Sequence, residues 1–60
     1  MLIRVKVKVR NDHRSLTEDF ETEDLHLHMD DLQIQNWVQK VLQSFNEPVD
    51  TVTIKATVEL

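Results

Sequence analysis

From Ile3 to Arg10 the sequence IRVKVKVR alternates without a break between β-branched aliphatic and basic side chains. Period-two alternation of this kind suits a pleated strand with one buried and one solvated face, and it fits no helix. The spacing predicts a strand over residues 2–10, with Ile3, Val5, Val7 and Val9 inward and Arg4, Lys6, Lys8 and Arg10 outward. Whatever else the chain does, it must supply an apolar layer for the first row and leave the second row in water or against an anionic partner.

The rest of the chain has few means of supplying that layer. Sixty residues form a single small domain, residues 1–60, that buries only about 60% of its unfolded surface, so help from a partner subunit is expected. There is no cysteine, which excludes disulfides and thiolate zinc sites and fits a reducing, cytoplasmic setting. No apolar run approaches the roughly 20 residues of a membrane span, and the alternating start is unlike a signal peptide. Glycine is also absent, which argues against the phosphate-cradling loops of P-loop and dinucleotide-binding enzymes.

Three further elements follow. NDHRS at 11–15 supplies turn-forming side chains. In LTEDFETEDLHLHM, Leu16 and Phe20 share one parity whereas Leu25, Leu27 and Met29 share the other. The reading that reconciles them is an irregular arm over about 16–22, a bulge near 21–24 and a strand over about 23–29, with a continuous long hairpin arm as the alternative. Ile34, Val38, Val41, Leu42 and Phe45 lie on one helical stripe, giving a helix over about 31–45. Asp30 is its N-cap, Gln33 completes a capping box, and Asn46 closes it before Pro48. DTVTIKATVEL alternates again, with Val52, Ile54, Ala56, Val58 and Leu60 inward. The fold class is therefore α+β: a ββαβ chain forming a three-stranded antiparallel sheet of order 2-1-3, with one helix on one face.

Net charge is −4, but the charges are segregated. Residues 1–10 hold four cations and no anion, whereas residues 11–31 hold eight acidic side chains against Arg14 alone. Two opposite surfaces result. The acidic run Glu18, Asp19, Glu21, Glu23 and Asp24 suits a basic groove on another protein, including a nucleic-acid-binding host protein. The basic row Arg4, Lys6, Lys8 and Arg10, joined by Lys55, suits phosphates. No aromatic stands on the outward positions to stack bases, so nucleic-acid binding is the alternative reading and protein binding the favoured one.

The helix adds Gln33, Asn36 and Lys40 on a charge-poor outward face. Trp37 stands at the margin of the apolar stripe, available as a binding anchor. The third strand ends the sheet with a long, charge-poor edge, which favours a homodimer. His26 and His28 with Asp24 lack the ligand number of a metal site, no nucleophile sits in a catalytic motif, and no cofactor is expected. The ββαβ order and acidic character resemble certain phage-encoded inhibitors, including dimeric inhibitors of uracil-DNA glycosylase. No functional residue transfers with that resemblance. It implies a non-enzymatic protein-binding module, an inhibitor or modulator of a host or defence protein of the kind carried by phages and mobile elements, acting as a homodimer.

Overall fold

The computed structural model describes residues 2–23 and 32–59. Four elements follow one another: β1 (Leu2–Arg10), β2 (Ser15–Thr22), α1 (Leu32–Phe45) and β3 (Thr51–Glu59). The sheet has the order β2-β1-β3 and both pairings are antiparallel, as the sequence predicts. β1 is central because its alternation is the most regular and gives each neighbour an uninterrupted ladder. Ile3 to Arg10 pair in sequence with Thr22 to Ser15, and Leu2 to Arg10 pair with Glu59 to Thr51.

The second strand differs from the sequence reading. Residues 16–22 form no irregular arm; they belong to a regular strand that pairs with β1 along its whole length. Leu16, Glu18, Phe20 and Thr22 share the helix-side face, opposite Val9, Val7, Val5 and Ile3, and keep one parity through the strand. Of the expected strand over 23–29 only Glu23 is described, exposed just after β2 and outside any strand; residues 24–29 and the N-cap at Asp30 lie outside the described residues. The outward basic row is consequently flanked on the β2 side by Ser15, Thr17, Asp19 and Glu21.

The core is a single layer. Ile3, Val5, Val7 and Val9 from β1 meet Ile34, Trp37, Val41 and Phe45 from α1, all buried. Each fully buried aliphatic or aromatic side chain stabilises the fold by about 1.5–3 kcal/mol relative to exposure, and the domain has few of them. The buried stripe of α1 is rotated from the expected one: Val38 and Leu42 are only partly buried, and Trp37 takes a central place at 8% exposure. The reason is an aromatic pair. The Trp37 ring stacks on Phe20 of β2 with centroids 5.0 Å apart and planes 8° from parallel. Trp37 is thus a core residue, not an available anchor.

The hairpin end fixes the other end of the helix. Asn11 Oδ1 accepts hydrogen bonds from the backbone N–H of His13 at 2.8 Å and of Arg14 at 3.0 Å, an Asx turn that does without glycine. Its amide donates to the Pro48 carbonyl at 3.0 Å. Arg14 lies 4.4 Å above the Phe45 ring, donates to the Phe45 carbonyl and pairs with Glu47. A cation there satisfies a carbonyl that the helix leaves open and complements the negative end of its dipole. Asn46 follows in the left-handed region at φ 55°, its N–H donating to the Leu42 carbonyl at 3.1 Å, and so ends α1 where the sequence places the stop.

Because Phe45 is wholly buried and its carbonyl and ring are both engaged, Phe45→Ala should cost about 3–5 kcal/mol, enough to unfold most of the population of so small a domain. Val58→Ala, on an exposed part of β3, should change stability by less than about 1 kcal/mol. Urea denaturation followed by circular dichroism measures both.

Candidate protein-binding edge and open sheet face

α1 lies over β1 and β2, and among the described residues none of its α-carbons comes within 8 Å of one in β3. The width of the elements explains this. A helix with its side chains is about 10–12 Å across, whereas strands repeat every 4.7–4.9 Å or so, and a helix drawn to one side by an aromatic stack covers about two strands. The helix-side row of β3 is therefore left open. Val52 is 43% and Val58 54% exposed, Ala56 is exposed, and Ile54 is half-buried against the core. The sequence reading placed this whole row inward. The alternation specifies the face, and the width of one helix against three strands is the signal that part of this row stays exposed.

Among the described residues no strand pairs with the outer edge of β3, and that edge has a definite polarity. In an antiparallel sheet a residue's N–H and C=O point toward the same neighbouring strand, and successive residues point toward opposite neighbours. The Asn11 N–H donates to the Arg14 carbonyl at 3.0 Å, in line with the β1–β2 register, so odd-numbered residues of β1 bond toward β2. Even-numbered residues of β1 then bond toward β3, and the Asp50 N–H donating to the Arg10 carbonyl at 2.9 Å agrees. Through the register this assigns the odd-numbered residues of β3 to the ladder with β1. Val52, Ile54, Ala56 and Val58 direct their amides and carbonyls outward. The same four residues carry the open apolar row.

The opposite face of the sheet gathers the basic residues. Arg4 bridges both flanking strands, 3.1 Å from Glu21 and 3.3 Å from Glu59. Lys6 stands directly opposite Lys55 on β3 and opposite Asp19 on β2. Lys8 is flanked by Thr17 and Thr53, and Arg10 by Ser15 and Thr51. Among the described residues, Lys6, Lys8, Arg10 and Lys55 have no ion pair within 4.0 Å. The five sequence-selected cations are thus brought together, one neutralised and four open.

The sequence-selected acidic residues are not brought together. Asp19 and Glu21 lie on the open face beside the basic row, Glu18 lies on the helix side, Glu23 is exposed just after β2, and Asp24 falls outside the described residues. Glu18 and Lys40 share a shallow depression with Phe20, Gln43 and Ser44. Gln33, Asn36 and Lys40 are exposed on α1. The described residues hold no group of three metal-ligating side chains. No helix is long and apolar enough to cross a membrane among those described. No protein-family model, curated protein or solved structure matches the chain.

Like charges directly opposite across an antiparallel pair destabilise it by a few tenths of a kcal/mol or more. A double-mutant cycle with Lys6→Gln and Lys55→Gln should therefore show an unfavourable wild-type coupling at low salt. In about 1 M salt, where the Debye length is about 3 Å, that coupling should vanish. A favourable coupling would contradict the register read here.

Proposed function

We propose that this chain is a non-enzymatic protein-binding module whose β3 edge receives a strand from another polypeptide. The observation that carries the reading is the coincidence, on Val52, Ile54, Ala56 and Val58, of outward backbone groups with an exposed apolar row. Main-chain hydrogen bonds then supply affinity and the alternate side chains supply selectivity, as in other cases of strand addition. The other sheet edge is protected: the odd-numbered residues that direct their amides from β2 to solvent include Asp19 and Glu21, and charge on an edge discourages pairing. The small core supports the reading as well, since a domain of this size gains from covering any apolar surface it exposes. The topological resemblance to phage-encoded inhibitors supports a host or defence protein as the target, and the lack of cysteine supports a cytoplasmic setting.

Proline can block this edge without breaking the sheet, because the Ala56 N–H points away from β1 and no described strand lies on that side. Tagged wild type, Ala56→Pro and, as a control on the opposite edge, Thr17→Pro should each retain the circular dichroism of the fold. In capture from an extract of the source cells, wild type and Thr17→Pro should hold the same protein and Ala56→Pro should lose it. Retention of that protein by all three would place the interaction elsewhere. Thr57→Pro, which removes a ladder bond to β1, should unfold the domain instead.

A second reading is favoured by one observation, the Lys6–Lys55 opposition beside Lys8 and Arg10 with their flanking hydroxyls. A phosphate-bearing ligand on this face would relieve the like-charge contact. If a nucleic acid binds there, fluorescence anisotropy with a generic single-stranded oligonucleotide should show log K falling with log salt at a slope of about −0.7 per phosphate neutralised, reduced by Lys8→Gln. No binding at low salt would remove this reading.

A further inference from the structure

The open edge admits a more specific occupant, and we infer that it is the β3 strand of a second copy, paired antiparallel about a two-fold axis at Thr57. The inference rests on the strand-addition reading above and names its partner. Only even-numbered residues of β3 direct their amides outward, so across a two-fold axis even must face even and odd must face odd. The axis therefore passes through a residue, never between two, and every such arrangement keeps the apolar rows of both copies on the helix side.

Charge selects among the remaining positions. An axis at Lys55 would set Lys55 against its own copy, with Lys6 of each molecule beyond it, four ammonium groups in a line. An axis at Ala56 sets Lys55 against Thr57, and axes nearer Thr51 set it against other neutral residues. Glu59 is the acid of β3, and only an axis at Thr57 places it opposite Lys55 of the second copy. That arrangement gives two Lys55–Glu59 pairs related by the axis, a Thr57–Thr57 contact at the centre, and Ala56 against Val58 on the apolar side. The charge and threonine pairs are favourable cross-strand combinations, and the Ala56–Val58 contact covers apolar surface that is otherwise exposed. It also brings an anion to the Lys55 ammonium that Lys6 opposes. Self-pairing of β2 lacks this complementarity, since its charged residues Glu18, Asp19 and Glu21 are all acidic. The product is a closed, six-stranded dimer with both helices on one face.

The absence of native cysteine makes the test clean. Single variants Lys55→Cys, Ala56→Cys, Thr57→Cys and, on β2, Thr17→Cys are oxidised under identical mild conditions and resolved on non-reducing gels. The wild-type mass is measured by size-exclusion chromatography with light scattering. Thr57 on the axis is a non-hydrogen-bonded pair with Cα atoms about 4.5 Å apart, within disulfide range, so Thr57→Cys should cross-link roughly tenfold faster than the other three. The wild type should elute as a dimer. Lys55→Glu and Glu59→Lys should each weaken dimerisation about tenfold, and the double exchange should restore it.

Fastest cross-linking at Lys55→Cys or Ala56→Cys would overturn the axis. So would failure of the double exchange to restore the dimer. A monomeric wild type with no variant cross-linking faster than Thr17→Cys would overturn self-pairing altogether. In that case strand addition stands or falls separately, by whether Ala56→Pro still loses a captured protein of another kind.

Discussion

The Phe20–Trp37 stack sets which strands the helix covers. Aromatic pairs of this kind add about 0.5–1.5 kcal/mol beyond their buried area, a large term where only a single thin core is present. The stack holds α1 toward β2, and at the other end Arg14 grips the Phe45 ring and carbonyl from the hairpin side of the sheet. Both anchors lie away from β3. The third strand is therefore well paired along one side and uncovered on the face that its alternation would bury, and the surface proposed for binding follows from that displacement.

The two faces of the sheet carry different chemistry for the same reason of parity. On the helix side, β1 is sealed and β3 open, so apolar surface ends abruptly between them. On the other side the cations of β1 meet neutralising acids only near Arg4, while the half toward Arg10 is bordered by hydroxyls. A dimer about Thr57 would join the neutralised part of that face to its symmetry copy and bring Glu59 to the open Lys55. The same arrangement would leave Lys8 and Arg10 exposed on the outer parts of a six-stranded surface.

Much of this architecture was legible from local pattern. The alternation of residues 3–10 and 51–59 specified two strands and their faces, and Ile34, Val41 and Phe45 specified the helical stripe. The strand order followed from connectivity. The regular strand over 15–22 is hidden in the sequence because Leu16 and Phe20 lie on one parity and Leu25, Leu27 and Met29 on the other, and because the polar Glu18 sits on the helix-side row, so its register shows only when it is paired with β1. Trp37 was placed at the margin because the stripe was centred on helix residues alone. Its partner Phe20 lies on another element, and sequence periodicity within one element carries no information about such a contact. The exposed row of β3 was missed for a related reason: alternation reports which face a side chain occupies, not whether anything lies above it.

Hydrogen exchange resolved by residue reads which amides of β3 face outward and what covers them. In dilute solution the amides of Thr53, Lys55 and Thr57 should be protected, whereas those of Ile54, Ala56 and Val58 should exchange at nearly free rates. As the protein is concentrated, the amides of Ala56 and Val58, which face each other across the axis at Thr57, should become protected as well. Protection of the even-numbered amides in the dilute monomer would contradict the edge polarity, and their free exchange at every concentration would contradict pairing with a second copy.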